Sequence, residues 1–436
     1  MGMCARCVVG LGVAILAGGL GCESSHHASS STSMDPDTAH VMDILAETPL
    51  IDGHNDVPWQ YRRRVHNHLD EIDFASGTTD LDPPMHTDIP RLRAGGVGAQ
   101  FWSVYIPVDD AGGRPGDARV VIEQIDLAHR LIDTYDDLEL ALTAADIERI
   151  HAQGRIASLL GMEGGHSIEN SLAVLRATYD LGARYMTITH SSNIPWADSA
   201  TDDRVIGGLT EFGREVIREM NRLGMIIDLS HVSAEVMNEV LDISAAPVIF
   251  SHSSARAVSN HARNVPDDVL RRLRETDGVV MVTFVPSYVS EDLRLWYEAR
   301  NALRQELRDT YGDDNERIAS EVEAWAASHP QPVATLEQVA DHIDHVRRVA
   351  GIERVGIGGD FDGIGAGPQG LEDVSTYPAL FVELKRRGYS DADLRKIAGE
   401  NLLRVMKKIE RVSHELRRTT KPSDALIIEL DGDAGA

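Results

Sequence analysis

The chain has 436 residues, of which 42% are hydrophobic and 25% are charged, a composition typical of soluble globular proteins with a large core. Its formal net charge of −27 at pH 7 argues against a nucleic-acid partner, because binding to phosphates needs a basic surface. All three cysteines, Cys4, Cys7 and Cys22, lie near the N-terminus. The rest of the chain therefore can form no internal disulfide and can offer no thiolate to a metal.

The N-terminal residues resemble a secretion signal. Arg6 is the only charge in the first 22 residues, and Val8–Gly21 is apolar but shorter than the roughly 20 residues that span a bilayer. The run Gly-Leu-Gly before Cys22 resembles a bacterial lipoprotein signal, although its leucine is one position closer to the cysteine than usual. We predict a signal peptide at 1–21, a lipid on Cys22 and a flexible tether at 22–36, which together anchor the protein in a bacterial cell envelope. An ordinary secreted or periplasmic protein and an uncleaved anchor are the alternatives.

Apolar extended runs alternate with amphipathic helical patterns along residues 37–420. Helices are predicted at 37–47, 117–135, 169–181, 209–223, 233–243 and 266–275. Strands are predicted near 50–54, 97–106, 157–163, 184–190, 225–231, 247–252, 278–285 and 354–360. Such alternation indicates a parallel sheet that is buried on both faces. Eight strands predict an α/β fold of the (β/α)8 TIM-barrel type, with a doubly wound sheet as the alternative.

A helical insertion separates the predicted seventh and eighth strands. Glu291–Tyr311 and Asn315–Ala327 have helical patterns, and Leu336–Ala350 leads into the last strand. The loops that follow barrel strands lie on the active-site face. The insertion at 289–335 is therefore either a lid or wall of the site, or a surface for packing or for a dimer contact. The barrel is predicted to end with helices at 380–387, 391–400 and 401–412, before a tail at 421–436.

Five potential metal ligands stand at the C-terminal ends of predicted strands. His54 and Asp56 follow the first strand and are two residues apart, so both side chains can point the same way. Glu163, His231 and His252 follow the third, fifth and sixth strands. In a parallel barrel these ends meet on one face, which brings distant residues together. Three histidines and two carboxylates form the mixed nitrogen and oxygen donor set that suits Zn²⁺ or a similar divalent ion.

Three further polar residues occupy the same kind of position. His190 can be a ligand or can stabilise a developing oxyanion, and we favour the second role because the other five residues already fill two metal sites. Asp360 can transfer a proton between a water and a leaving group, while its neighbour Asp362 fits a turn better. Arg263 can bind a substrate carboxylate, with a surface salt bridge as the alternative.

Two adjacent metal ions determine which reaction such a site can catalyse. A water between them loses its proton near neutral pH, because a bound ion can bring the pKa of water down to about 7. The resulting hydroxide attacks a carbonyl carbon while one ion polarises the carbonyl oxygen. The residue pattern therefore predicts metal-assisted amide hydrolysis.

The motifs around these residues resemble those of the membrane (renal) dipeptidase family, dinuclear zinc peptidases of the amidohydrolase superfamily. They occur in family order and span roughly residues 50–405. The motifs are Ile51–Asp56, Gly161–Gly164, Thr189–Ser191 with Asn193 and Pro195–Asp198, Asp228–His231, Phe250–Ser254, Arg263–Asp268 and Gly358–Gly363.

The resemblance implies two zinc ions per chain, bridged by Glu163, inside a (β/α)8 barrel. His54 and Asp56 would complete one site, and His231 and His252 would complete the other. A hydroxide between the ions would hydrolyse dipeptides, both L,L and L,D, since the family often tolerates a D-residue at the C-terminal position.

The resemblance also assigns residues to the substrate. It implies that His190 contacts the carbonyl region, that Arg263 binds the free carboxylate of the dipeptide and that Asp360 shuttles protons. Tyr288 would line the substrate site. Members are often homodimers, and the 289–335 insertion is longer than in the animal enzymes, which also carry disulfides and a glycolipid anchor.

Two other functions fit part of the pattern. Lactonases and phosphotriesterases of the same superfamily usually carry His-x-His on the first strand and a modified lysine as the bridge, where this chain has Asp56 and Glu163. A non-catalytic surface lipoprotein that binds peptides is the other alternative. The complete ligand set favours the dipeptidase over both.

Overall fold

Nine parallel strands form one sheet in the part of the chain that the computed structural model describes, residues 35–108 and 116–432. They are β1 (Leu50–Asn55), β2 (Val97–Ser103), β3 (Leu138–Leu140), β4 (Ile156–Glu163), β5 (Ala183–Thr187), β6 (Ile226–Asp228), β7 (Ile249–Phe250), β8 (Val279–Val282) and β9 (Val355–Ile357). Pairing between β2 and β4 closes a ring in the order β2-β1-β9-β8-β7-β6-β5-β4. The predicted eight-stranded (β/α)8 barrel is thereby confirmed, and β3 pairs only with β4 at its margin.

Helices follow the strands and surround the barrel. They are α1 (Pro36–Glu47), α2 (Val57–Val65), α3 (Ile89–Ala94), α4 (Asp117–Thr134), α5 (Ala144–Ala152), α6 (Leu172–Asp180), α7 (Glu211–Leu223), α8 (Ala234–Ile243), α9 (Asp267–Thr276), α10 (Pro286–Val289), α11 (Glu291–Tyr311), α12 (Asn315–Ser328), α13 (Leu336–Ala350), α14 (Tyr377–Arg386), α15 (Asp391–Arg395), α16 (Asn401–Thr419) and α17 (Ile427–Leu430). A π-helical turn at Lys396–Glu400 joins α15 to α16. Polar side chains fix several helix starts, as in the capping box that Thr335 and Gln338 form at α13.

Five helices and one strand were missed by the sequence patterns: α2, α3, α5, α10, α17 and β3. Each has between three and nine residues. Segments this short show too few turns to establish a periodicity, and they are stable because they pack against the barrel. The omission of α2 matters most, since this helix begins directly after the first pair of predicted ligands.

The core has two parts. Alternate residues of the strands point into the barrel, where Ile51, Phe101, Leu159 and Met281 belong to a buried cluster that also includes residues of α16. A second buried cluster fills the space between the outside of the barrel and its helices. The rigid double layer holds the strand ends in fixed positions, which a multi-residue site requires.

A glycine inside the barrel makes room for a residue of the site. A Cβ atom on Gly161 would lie 2.0 Å from Cζ of Tyr185, so only glycine fits beside this ring. The Tyr185 hydroxyl then reaches the imidazole of His54. The glycine on β4 thus allows Tyr185 of β5 to contact His54 of β1.

The termini fall partly outside the described residues. The predicted signal peptide and Cys22 lie there entirely, and the tether at 22–36 lies there except for its last two residues. At the other end, residues 421–432 of the predicted tail are described, and α17 in this segment buries Ile427. None of the helices within 35–108 and 116–432 combines the length and the apolarity needed to cross a bilayer.

Candidate active site: a carboxylate between two ligand groups

Glu163 lies at the centre of the five predicted ligands. Its Oε1 atom is 3.0 Å from Nε2 of His231 and 3.4 Å from Nε2 of His252. Its Oε2 atom is 3.5 Å from Nε2 of His54, which in turn is 3.3 Å from Oδ2 of Asp56. The structure therefore brings together all five residues, in two groups that share one carboxylate. We call these five residues the cavity floor.

The spacing of the floor atoms fits bound ions. Ligands bonded to a tetrahedral zinc at about 2.0–2.1 Å lie about 3.3 Å from one another. The two imidazole nitrogens of His231 and His252 are 2.9 Å apart. Nε2 of His54 and Oδ1 of Asp56 are buried without a hydrogen-bond partner. Buried polar atoms that face each other without partners are costly unless an ion binds them, so the donor set fits two divalent cations.

A hydrogen-bonded chain orients His252. The Ser251 hydroxyl donates to Oδ2 of Asp228 at 2.6 Å, so its oxygen is left to accept from Nδ1 of His252 at 2.7 Å. With its proton on Nδ1, the imidazole presents the bare Nε2 atom to the floor. Asp228 is itself buried and also accepts from the Thr187 hydroxyl. Supports of this kind fix the tautomer and the angle of a metal-binding histidine.

His54 has an equivalent support from another strand. Its Nδ1 atom is 2.8 Å from the Tyr185 hydroxyl, which donates at 3.3 Å to the carbonyl of Gly53. The tyrosine oxygen therefore accepts the Nδ1 proton, and Nε2 of His54 is again free to bind an ion.

The electrostatics of the floor favour a cation. Burial alone would raise the pKa of Glu163, but the surrounding histidines hold it well below its usual range. Burial lowers the pKa of His231 and His252 well below the usual value, so both are neutral bases. Burial opposes protonation of His54 too, but Tyr185, Glu163 and Asp56 outweigh it and raise its pKa well above the ordinary value. A position that attracts a proton this strongly also attracts a metal ion.

Two floor loops have strained backbones. His231 and Asp360 adopt φ angles of 71° and 62°, in the left-handed region that residues other than glycine rarely occupy. A Cβ atom on Gly363 would lie 2.3 Å from Oδ2 of Asp56 and 2.5 Å from Oδ1 of Asp360. The loop after β9 is therefore pressed against the carboxylates, and strain is concentrated at the site.

Asp360 and Asp362 have clearly different surroundings in the structure. A carboxylate oxygen of Asp360 lies within 4.8 Å of ligand atoms of His54 and Asp56. Burial and the adjacent carboxylates raise the pKa of Asp360 well above its usual value. Asp362 instead accepts a 2.8 Å hydrogen bond from the backbone N–H of His86. Asp360 is thus the carboxylate at the floor, and Asp362 fixes a loop, as the sequence favoured.

His190 lies at the side of the floor. Its Nε2 atom is 3.8 Å from Oε1 of Glu163, farther than those of His231 and His252, and its Nδ1 atom is buried without a partner. Its ring packs against Tyr105 with 4.9 Å between centroids. His190 can contribute to a cluster with Glu163 and His231, but its larger separation leaves it free to face a substrate.

Arg263 is buried without an anionic partner. Its guanidinium donates to the Ser253 hydroxyl at 3.3 Å and to the carbonyl of His252 at 3.4 Å, while Nε has no partner. Tyr288 lies beside it, with the cation 5.5 Å from the ring centroid. A buried guanidinium that meets no carboxylate among the described residues fits an anion from outside the chain.

A cavity of about 1020 Å³ opens above the floor. Asp56, Glu163, His190, His231, Arg263, Tyr288 and Asp360 line it, whereas His54 and His252 lie below its surface. The insertion also contributes, because Leu293, Tyr297 and residues 331–334 line the cavity. Of the two roles considered for the insertion, a wall of the site is therefore observed.

Sequence reasoning missed several cavity residues. Trp59 and Tyr105 face each other edge to face, with 5.1 Å between ring centroids, and both line the cavity. His86, which has no strand-end position, lines it as well. Tyr105 follows β2 at its C-terminal end, so applying the strand-end argument to aromatic residues would have found it. Trp59 and His86 carry no such signal, because α2 and the loop before α3 were not predicted.

The family model described as membrane dipeptidase, peptidase family M19, matches residues 38–420. Rat "Dipeptidase 3" is 43% identical over 378 residues, which cover 85% of this chain and 67% of the rat protein. The chain belongs to the membrane dipeptidase family. It is a metal-dependent dipeptidase of family M19, as the resemblance implied. About a third of the rat protein lies outside the match.

Solved structures share this fold. The probable dipeptidase PvdM from Pseudomonas aeruginosa has the same fold, with a TM-score of 0.73, 24% identity and coverage of 86% of this chain and 99% of that one. A metallo peptidase from Rhodobacter sphaeroides, liganded with a phosphinate mimic of the dipeptide L-Ala-D-Ala, has a TM-score of 0.66 and 26% identity. That match covers 83% of this chain and 99% of the other.

Proposed function

We propose that this M19 dipeptidase hydrolyses L,L- and L,D-dipeptides with two zinc ions held by the cavity floor. His54 and Asp56 would hold one ion, His231 and His252 the other, and Glu163 both. The single observation that carries the proposal is the position of Glu163, whose two oxygens each face a separate group of ligands. When bound, the two ions supply a water of lowered pKa and polarise the scissile carbonyl.

The chain's own residues bind and orient the dipeptide. Arg263 binds the C-terminal carboxylate through a guanidinium that has no internal anion, and Tyr288 packs beside the same residue of the substrate. His190 donates a hydrogen bond from its ring to the carbonyl oxygen as negative charge develops there. The C-terminal carboxylate of a dipeptide thus binds the buried Arg263, while the closed floor lies beneath its one peptide bond. This arrangement explains a preference for dipeptides.

Asp360 moves the proton. Its carboxylate faces the floor beside His54 and Asp56 and would take a proton from the attacking water, then return it to the departing amino group. Acceptance of a D-residue is supported by the related Rhodobacter sphaeroides metallo peptidase, which was solved with an L-Ala-D-Ala mimic.

The test combines metal content with stereochemistry. Purified protein is expected to contain about two zinc ions per chain and to hydrolyse both L-Ala-L-Ala and L-Ala-D-Ala. Removal of the metal by a chelator should abolish both activities, and zinc should restore them. Bound zinc without turnover of any dipeptide would contradict the proposal, and higher activity on lactones or phosphotriesters would replace it with another hydrolase function.

We also propose export and anchoring through Cys22, with residues 1–21 removed, 22–36 as a tether and 37–420 as the catalytic barrel. We propose a homodimer only because members of the family often form homodimers. Mass spectrometry of the membrane fraction should find a lipid on Cys22, and Cys22→Ser should release the protein. Unmodified Cys22 in a fully soluble wild-type protein would contradict the anchor without affecting the dipeptidase.

A further inference from the structure

The cations that line the cavity are all arginines among the described residues: Arg63, Arg64 and Arg263. None of the three forms an ion pair with a carboxylate of the described residues. Arg62, the neighbour of the first two, does pair, at 3.1 Å from Glu123. Arg62 thus differs from Arg63 and Arg64, the two arginines of α2 that line the cavity.

Among the described residues, no carboxylate that lines the cavity forms an ion pair with Arg63 or Arg64. Asp56 and Glu163 belong to the floor, where the ions would neutralise them, and Asp360 lies against the same floor. Oδ1 of Asp362 accepts from the backbone N–H of His86, and its Oδ2 is buried without a hydrogen-bond partner. The cavity is therefore negative at its floor, where cations bind, and positive along α2.

Arg64 is held in place for a ligand. Its Nε atom donates to Oε1 of Gln60 at 2.7 Å, and the Gln60 amide donates to the carbonyl of Asp362 at 2.5 Å. The two terminal nitrogens of the guanidinium have no described partner. A guanidinium fixed through Nε with both terminal N–H groups free has the geometry that binds a carboxylate.

The position of α2 indicates which part of a dipeptide reaches Arg64. The helix begins directly after Asp56, and Arg64 lies about 12 Å along it at a rise of about 1.5 Å per residue. Arg263 follows β7, three strands away from β1 around the barrel. A dipeptide whose C-terminal carboxylate lies at Arg263 therefore extends its N-terminal residue towards α2.

We propose that Arg64, assisted by Arg63, binds a side-chain carboxylate on the N-terminal residue of the dipeptide. Dipeptides that begin with glutamate or aspartate are then preferred over those that begin with their uncharged amides. This inference rests on the proposed function, because it uses Arg263 to set the direction of the substrate. The two arginines act as residues that determine specificity and take no part in the chemical step.

The test measures kcat/KM for the isosteric pair L-Glu-L-Ala and L-Gln-L-Ala. The wild-type protein is expected to prefer the glutamate substrate by about 10-fold to 100-fold, the range of a charge-assisted hydrogen-bonded pair. Arg64→Gln should bring this ratio close to one, and Arg64→Glu should invert it. Arg62→Gln is the matched control, because Arg62 lies on the same helix and points to Glu123, and it should keep the wild-type ratio.

Two further readouts make the outcome decisive. The preference should shrink as salt is raised, and L-Ala-L-Glu should show no comparable preference over L-Ala-L-Gln. Equal turnover of the glutamate and glutamine substrates by the wild-type protein would overturn this inference and leave the proposed function intact. An unchanged ratio in Arg64→Glu, with the fold verified by circular dichroism, would overturn it too. No turnover of any dipeptide would overturn the proposed function and the inference together.

Discussion

The floor of the cavity and its α2 side are built in opposite ways. His54 is 0% exposed, His252 1% and Glu163 5%, and hydrogen bonds from their Nδ1 atoms to the hydroxyl oxygens of Tyr185 and Ser251 hold the two imidazoles in place. Along α2, Arg63 is exposed and Arg64 is held only through Gln60. The difference teaches that the position needed for metal binding is fixed before any ligand arrives, whereas selectivity for the substrate depends on side chains that still have free donors.

The largest effect should come from the shared carboxylate. Glu163→Gln replaces one of the two floor-facing oxygens by an amide nitrogen, which cannot bind a cation. We expect zinc content to fall at both sites together and kcat/KM to fall by roughly 10³-fold or more. Metal analysis and dipeptide assays measure this. A variant that keeps both zinc ions at wild-type affinity would show that Glu163 is not a bridge.

A smaller effect is expected when the proton carrier is removed and the floor is left intact. Asp360→Asn should lower kcat by about 10²-fold to 10⁴-fold, the usual range for general acid-base catalysis, while zinc content stays near the wild-type value. Metal analysis beside kcat is the measurement, with Glu163→Gln as the comparison. Loss of zinc from Asp360→Asn would mean that Asp360 is a ligand.

The support beneath the floor should matter less again. Ser251→Ala removes the acceptor for the Nδ1 proton of His252, and we expect zinc affinity to weaken by about 10-fold to 100-fold. Thr187→Val is the matched control, because the Thr187 hydroxyl donates to the same Asp228 oxygen without touching His252. Competition with a zinc-binding dye measures both. Equal losses in the two variants would show that the effect passes through Asp228 in general.

A buried histidine away from the floor should affect stability and leave turnover at neutral pH unchanged. Nδ1 of His342 accepts from the backbone N–H of Ala255 at 3.0 Å, and burial lowers its pKa to about 4. The unfolded chain takes up this proton nearer the ordinary pKa of 6.5. The neutral imidazole therefore contributes its full stability above pH 6.5, and the contribution is lost as the pH falls from 6.5 to 4.

Denaturant unfolding at pH 7 and at pH 4.5, in the same metal condition, tests this contribution. His342→Asn keeps an acceptor for Ala255 but has no proton to gain. The free energy of unfolding of the wild-type protein should decrease more on acidification than that of the variant, by at most about 1.4 kcal/mol per pH unit. Parallel decreases in the two proteins would contradict the assignment.

The sequence predicted the barrel and its floor because both depend on local patterns. Eight apolar runs marked the strands, and the rule that parallel strand ends converge was enough to bring His54, Glu163 and His252 together. The family resemblance then supplied roles for Arg263 and Asp360, and the structure puts both beside the cavity. Short elements such as α2 were missed, because nine residues that begin Val-Pro-Trp do not establish a helical period.

By itself, then, the sequence determined the fold, the family and the candidate ligands, since each leaves a mark within a few neighbouring residues. Only the tertiary structure decided how those ligands are supported and what surrounds the substrate. Tyr185 meets His54 across 131 residues and Gln60 meets Asp362 across 302. The partners in such pairs are set by strand order and register. No pattern among neighbouring residues in the sequence therefore predicts them. The same holds for Arg64, whose free donors become visible only when the cavity beside α2 is in place.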